Sequence, residues 1–135
     1  MIEIKRKVGI WIVSCLLLAA CGTANTVNGQ GSIPKKAQVF FNKGLQKQGY
    51  GEYNEAITLF QQAIKKAPEF IDAYDALGNT YQKKNEPKKA ISVYKKLLEL
   101  KSDHYFALYE LGKICHEEGT LDSAEYFYRN FLNVN

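Results

Sequence analysis

Asp72 and Asp75 stand three residues apart in a segment rich in alanine and leucine. On a helix that spacing puts two carboxylates on one face, where they can share a proton, hold a cation or meet a basic group. The commoner setting for such a pair is a solvated first turn, favoured by the helix dipole. His104, Cys115, His116, Glu117 and Glu118 include metal-ligand types. Neighbours in sequence point to different faces of a helix, however, and this spacing fits no zinc motif. Cys115 reads as a small packing residue. Gly49-Tyr50-Gly51 lacks the remainder of a phosphate-binding loop and reads as a turn. Lys83-Lys84 and Lys88-Lys89 make a local basic patch, suited to solvent, anionic lipid or an acidic partner. No Ser/His/Asp or Cys/His set has an orienting context. These residues imply neither catalytic group, metal nor cofactor, and direct attention to recognition rather than turnover.

The elements that must position them belong to one ordered domain: 135 residues, 46% hydrophobic and 24% charged. The net charge of +4 includes Glu3, Lys5, Arg6 and Lys7; without them 15 basic side chains face 13 acidic ones. That balance lacks the strongly basic face of a nucleic-acid binder, and no nucleic-acid partner is expected.

A basic stretch ending at Lys7 precedes a nearly continuous apolar run from Val8 to Leu18 and the small residues Ala19 and Ala20. This is the order of a secretory signal. The run to Cys21 falls short of the roughly 20 apolar residues that span a bilayer. Leu18-Ala19-Ala20-Cys21 resembles the lipobox of bacterial lipoproteins. The resemblance implies removal of residues 1–20, lipidation of Cys21 and a membrane-anchored protein of the bacterial cell envelope. Gly22 after the cysteine fits outer-membrane sorting, with the domain facing the periplasm. The alternative is an ordinary cleaved signal with a chance cysteine. After cleavage at Cys21 only Cys115 would keep a free thiol, so no internal disulfide would form. Residues 21–36 are expected to form the lipidated N-terminus and a flexible tether. Its uncharged part from Gly22 to Ile33 would reach roughly 20 Å as a random coil.

The rest of the chain repeats with a period of 34 residues. Aligning 37–70, 71–104 and 105–135 places Phe40, Tyr74 and Leu108 at position four and Gly44, Gly78 and Gly112 at eight. Ala56, Ala90 and Ala124 fall at twenty, Phe60, Tyr94 and Tyr128 at twenty-four, and Ala63, Leu97 and Phe131 at twenty-seven. Small residues at eight and twenty let paired helices approach, and the aromatics at four and twenty-four are expected to fill the space between successive pairs. Gly51, Asn85 and Gly119 recur at fifteen, where a helix stop in the left-handed conformation costs Gly or Asn little. Pro87 suits a first helical turn, and Pro68 a helix end.

This spacing resembles the tetratricopeptide repeat, most closely in Tyr74, Leu77, Gly78, Tyr81, Ala90 and Tyr94. Repeat one departs at Lys43 and Lys47, and repeat three at Cys115 and Phe131. The resemblance implies an all-α, right-handed superhelical solenoid of three antiparallel helix pairs, the third without a capping helix. It also implies a concave groove lined by positions two, five, nine and twelve. Residue by residue these are Gln38, Phe41, Leu45 and Gln48; Asp72, Asp75, Asn79 and Gln82; and Phe106, Tyr109, Lys113 and His116. The groove is expected to hold a protein partner or peptide segment, with apolar ends and an acidic, amide-rich middle. Lipoproteins with such repeats act in outer-membrane biogenesis, pilus or secretion assembly and control of peptidoglycan enzymes. A lipid-anchored adaptor or scaffold is the first expectation. The alternative is a structural module that forms homo-oligomers through a C-terminal edge presenting Tyr126, Phe127 and Leu132, or an N-terminal part of a larger peptidoglycan-associated protein.

Overall fold

In the computed structural model residues 32–134 are described; the expected signal, Cys21 and the tether up to residue 31 lie outside them. The 34-residue period becomes six helices: α1 (Lys35–Gly49), α2 (Tyr53–Lys66), α3 (Ile71–Lys83), α4 (Pro87–Leu100), α5 (Tyr105–Glu117) and α6 (Leu121–Val134). Each packs chiefly on its neighbours in sequence, α1 on α2, α2 on α3 and so on to α6. Among the described residues there is no strand, and the architecture is the expected all-α solenoid of three helix pairs.

The first helix of every pair ends in the same way. Gly51, Asn85 and Gly119 take φ of 76°, 60° and 76°. The N–H of Gly51 then donates to the carbonyl of Gln48, and that of Glu52 to Lys47. The same two bonds recur as Asn85 to Gln82 with Glu86 to Tyr81, and as Gly119 to His116 with Thr120 to Cys115. Carbonyls left over at the helix end are thereby satisfied, and the chain reverses within three residues. Pro87 opens α4, where its missing N–H removes no helical bond.

The glycines at position eight work with the aromatics at twenty-four inside a single pair. A Cβ on Gly44 would lie 2.6 Å from Cε1 of Phe60, one on Gly78 2.6 Å from Cε1 of Tyr94, and one on Gly112 2.7 Å from Cδ1 of Tyr128. The ring of the second helix lies directly on the bare backbone of the first. Position twenty-four thus fills space inside its own pair as well as between pairs: the glycine's missing side chain makes the cavity that the ring occupies, while Tyr94 also meets Phe106 of the next pair. Ala56, Ala90 and Ala124 are buried beside these contacts, and one core runs through all three repeats from Ala56 to Phe127.

Both ends differ from expectation. Helix α1 begins at Lys35, inside the predicted tether, because Ile33 packs on Ala37, Ala63, Ala67 and Phe70, and Pro34 accepts from the N–H of Gln38. At the other end Phe127 is only 8% exposed, whereas Tyr126 and Leu132 are 62% and 70% exposed. Phe127 lines a cleft with Leu98 and Ser102 of the preceding repeat, so it alone departs from the expected edge, which Tyr126 and Leu132 do present.

Two glycines on one turn should respond with opposite signs. Gly49 is helical, and an added Cβ would meet nothing within 4 Å. Gly49→Ala should therefore add about 0.5–1 kcal/mol, mainly by restricting the unfolded chain. Gly51→Ala should lose about 1–2 kcal/mol, because its φ of 76° strains any L side chain. Urea unfolding of the two variants reads both.

Candidate partner-binding groove

Helices α1, α3 and α5 carry the residues singled out from the sequence, and the middle of the solenoid brings six of them together. Leu45, Gln48, Asp72, Asp75, Asn79 and Phe106, with Ala76, line a pocket of about 290 Å³. Three consecutive repeats contribute to it, which gives the period a functional consequence: a register slip in any one repeat would dismantle the pocket.

The remaining candidates lie outside this pocket. Phe41 is half-buried between Phe60 and Phe70, with ring centroids 5.8 and 4.9 Å apart. Gln38 donates to Asn42 within its own helix. Gln82 Nε2 donates to Glu110 Oε2 at 2.8 Å and to the Tyr94 hydroxyl at 3.1 Å, joining repeats two and three. Tyr109 is exposed and lies 6.3 Å from Tyr128 and 5.6 Å from Phe131, ring to ring. Lys113 pairs with Glu110 at 3.4 Å, and His116 is exposed near the end of α5.

A ladder of amides stiffens the pocket floor. Gln48 Nε2 donates to Thr80 Oγ1 at 2.7 Å, with longer contacts to Asn79 Oδ1 and the Ala76 carbonyl. Thr80 in turn donates to Ala76 O. Position twelve thus ties each of the first two repeats to the next, through Gln48 to Thr80 and through Gln82 to Glu110. Glu110 and Thr80 were missed at the level of sequence. The signal available was the recurrence of glutamine at position twelve, which needs a polar partner on the following repeat.

Asp75 is the electrostatic centre of the site. Its Oδ1 is buried without a hydrogen-bond partner, and Oδ2 is 3.9 Å from His104 Nε2, beyond hydrogen-bond reach. Burial raises its pKa from 3.8 to about 6, with Asp72 and Glu110 adding repulsion. His104 offers little compensation, because burial and then Lys101 push its pKa down. Its Nδ1 accepts the Ala107 N–H as the cap of α5. Asp72, nearer the mouth, is exposed. Among the described residues no three His, Cys, Asp or Glu side chains form a metal-holding group, and no helix is long and apolar enough to cross a membrane.

A carboxyl whose pKa rises on folding makes the native state bind more protons than the unfolded chain. Stability should then fall as pH rises from about 4 through 6 and level off above. Asp75→Asn removes that penalty. The variant should exceed the parent by about 1–2 kcal/mol at pH 7.5, allowing for partial exposure, and by nothing near pH 4. Thermal unfolding across that range tests the sign.

Residues 50–85 match the family model described as TPR repeat, and residues 71–104 the one described as tetratricopeptide repeat. Over 84 residues the chain is 31% identical to Protein bimA of Emericella nidulans, an overlap of 62% of this chain and 10% of that protein. Over 110 residues it is 30% identical to Photosystem I assembly protein Ycf3 of Synechococcus sp. strain CC9605, covering 74% of this chain and 64% of that one. The chain therefore spans from a tenth to just under two thirds of these relatives. Among solved structures, a crystal structure of MamA aligns with TM-score 0.72 and 27% identity over 73% of this chain and 58% of that one. The first TPR of Spaghetti (RPAP3), bound to the HSP90 peptide SRMEEVD, aligns with TM-score 0.70 at 21% identity over 75% and 80%. The latter shares the fold.

Proposed function

We propose that this tetratricopeptide solenoid is an adaptor, anchored by lipid at Cys21 in a bacterial cell envelope, which captures a protein partner through the concave face of α1, α3 and α5 to assemble or regulate an envelope complex. The observation that carries the reading is the central pocket, to which three repeats contribute apolar, amide and carboxylate side chains. Such a mixture serves binding, since apolar walls supply affinity and a few polar groups fix orientation. The peptide carried by the RPAP3 domain of like fold supports a peptide segment as the form of the partner. The order of a basic stretch, an apolar run and Leu18-Ala19-Ala20-Cys21 supports the anchor and the envelope location.

The test is photo-crosslinking in the native host with the probe at Leu45, on the pocket wall, and separately at Tyr126, in the cleft beside α6. A distinct protein captured from Leu45 alone supports the adaptor. Self-crosslinks from Tyr126 with nothing at Leu45 would replace it with a homo-oligomeric scaffold, for which the exposure of Tyr126 and Leu132 speaks. Cys21→Ser should move the protein from the membrane to the soluble fraction; unchanged membrane association would remove the lipid anchor from the account.

A further inference from the structure

We infer that the central pocket takes a cationic side chain, lysine or arginine, from an extended partner segment, setting its charge against Asp72 and Asp75 and its aliphatic stem against Leu45 and Phe106. This rests on the groove reading above and names the chemistry that the groove selects. The first support is an unmet acceptor. Among the described residues neither oxygen of Asp75 receives a hydrogen bond: Oδ1 is buried and unpartnered, and Oδ2 stands 3.9 Å from His104. A half-buried carboxylate without a donor is costly, and a charged donor entering the pocket pairs with the accessible oxygen, Oδ2.

The second support is the absence, among the described residues, of a free counter-charge at the pocket. Three acids converge electrostatically, since Asp72 and Glu110 both raise the pKa of Asp75. Of the nearby bases, Lys113 is engaged by Glu110 at 3.4 Å, and His104 is held toward its neutral form. An anionic segment would meet uncompensated like charge here, so the acidic peptide SRMEEVD held by the RPAP3 domain is the wrong complement for this groove. The third support is shape. About 290 Å³ is room for one long side chain, and walls of Leu45 and Phe106 suit a methylene stem beneath a charged head. Phe106 adds an aromatic ring, a group to which a cation is attracted.

The experiment selects binders of the full chain from a library of random 12-residue peptides. Their affinities are then measured for the parent, Asp75→Asn, Asp72→Asn and Asn79→Arg, a substitution that puts a long side chain into the pocket. Enriched peptides should share one lysine or arginine beside large apolar residues. Asp75→Asn should weaken them at least tenfold while thermal stability at neutral pH holds or rises, so lost binding is not lost folding. Binders that Asn79→Arg displaces but that carry no shared basic residue would overturn the inference and leave the groove reading standing. So would basic peptides indifferent to both Asn substitutions. Binders that Asn79→Arg leaves untouched would overturn the groove reading and this inference together.

Discussion

Tyr94→Ala should remove about 3–5 kcal/mol of unfolding free energy, the range for truncating a large buried aromatic. The ring is fully buried at the centre of the core shared by the three repeats. It covers Gly78, meets Phe106 edge-on at 6.5 Å between centroids, and accepts a hydrogen bond from Gln82 through its hydroxyl. Its loss opens a cavity between α3 and α4 and withdraws support from the α5 residue that walls the pocket. Tyr94→Phe keeps the packing and forfeits only the hydroxyl contact, for about 1 kcal/mol. Against a total of roughly 5–15 kcal/mol for a domain of this kind, the alanine variant should lose much of its helical signal at moderate temperature. Chemical unfolding followed by circular dichroism gives both numbers, and similar losses for Ala and Phe would show that the ring is not what holds the repeats together.

Gly78→Val should be nearly as damaging, at about 3 kcal/mol, even though valine is the better helix former. Cβ would stand 2.6 Å from Cε1 and 2.7 Å from Cζ of Tyr94. The ring has nowhere to retreat, because it is enclosed and its hydroxyl is tied to Gln82. Relief has to come from separating α3 and α4, which also pulls Asp75 and Asn79 out of register with α1 and α5. Gly78→Val in the Tyr94→Ala background should cost much less than alone, since the cavity then receives the new side chain. A double-mutant cycle that instead adds up would place the strain elsewhere.

These effects are legible in part in the amino-acid sequence. The positions of Gly44, Gly78 and Gly112 marked close approaches, and the positive φ at Gly51, Asn85 and Gly119 follows from their recurrence at one register. Less legible was which surface an aromatic would fill. Spacing puts Phe60, Tyr94 and Tyr128 on a helix face, but whether that face turns to its own pair or the next depends on how the helices cross. Phe127 shows the same limit: it is only 8% exposed, and the Leu98 and Leu108 with which it lines a cleft lie far away in sequence. The groove was legible as a set of positions and not as a shape. Leu45, Gln48, Asp72, Asp75, Asn79 and Phe106 converge, while Phe41 sinks between Phe60 and Phe70 of its own repeat. The burial of Asp75 could not be read from its neighbours in the chain, since it depends on residues about thirty positions later, His104 at the cap of α5 and Phe106 in its first turn.

The central claim is that the concave pocket captures a partner segment, and the most direct measurement is the dissociation constant of the partner crosslinked from Leu45, for the parent chain and for Asn79→Arg. Asn79 lines the pocket without entering the core, so the substitution blocks the site and leaves the solenoid intact. The account predicts at least a tenfold loss of affinity with an unchanged unfolding midpoint. An unchanged affinity, with the same midpoint, would mean that the partner binds another face of the solenoid and that the pocket is not the recognition site.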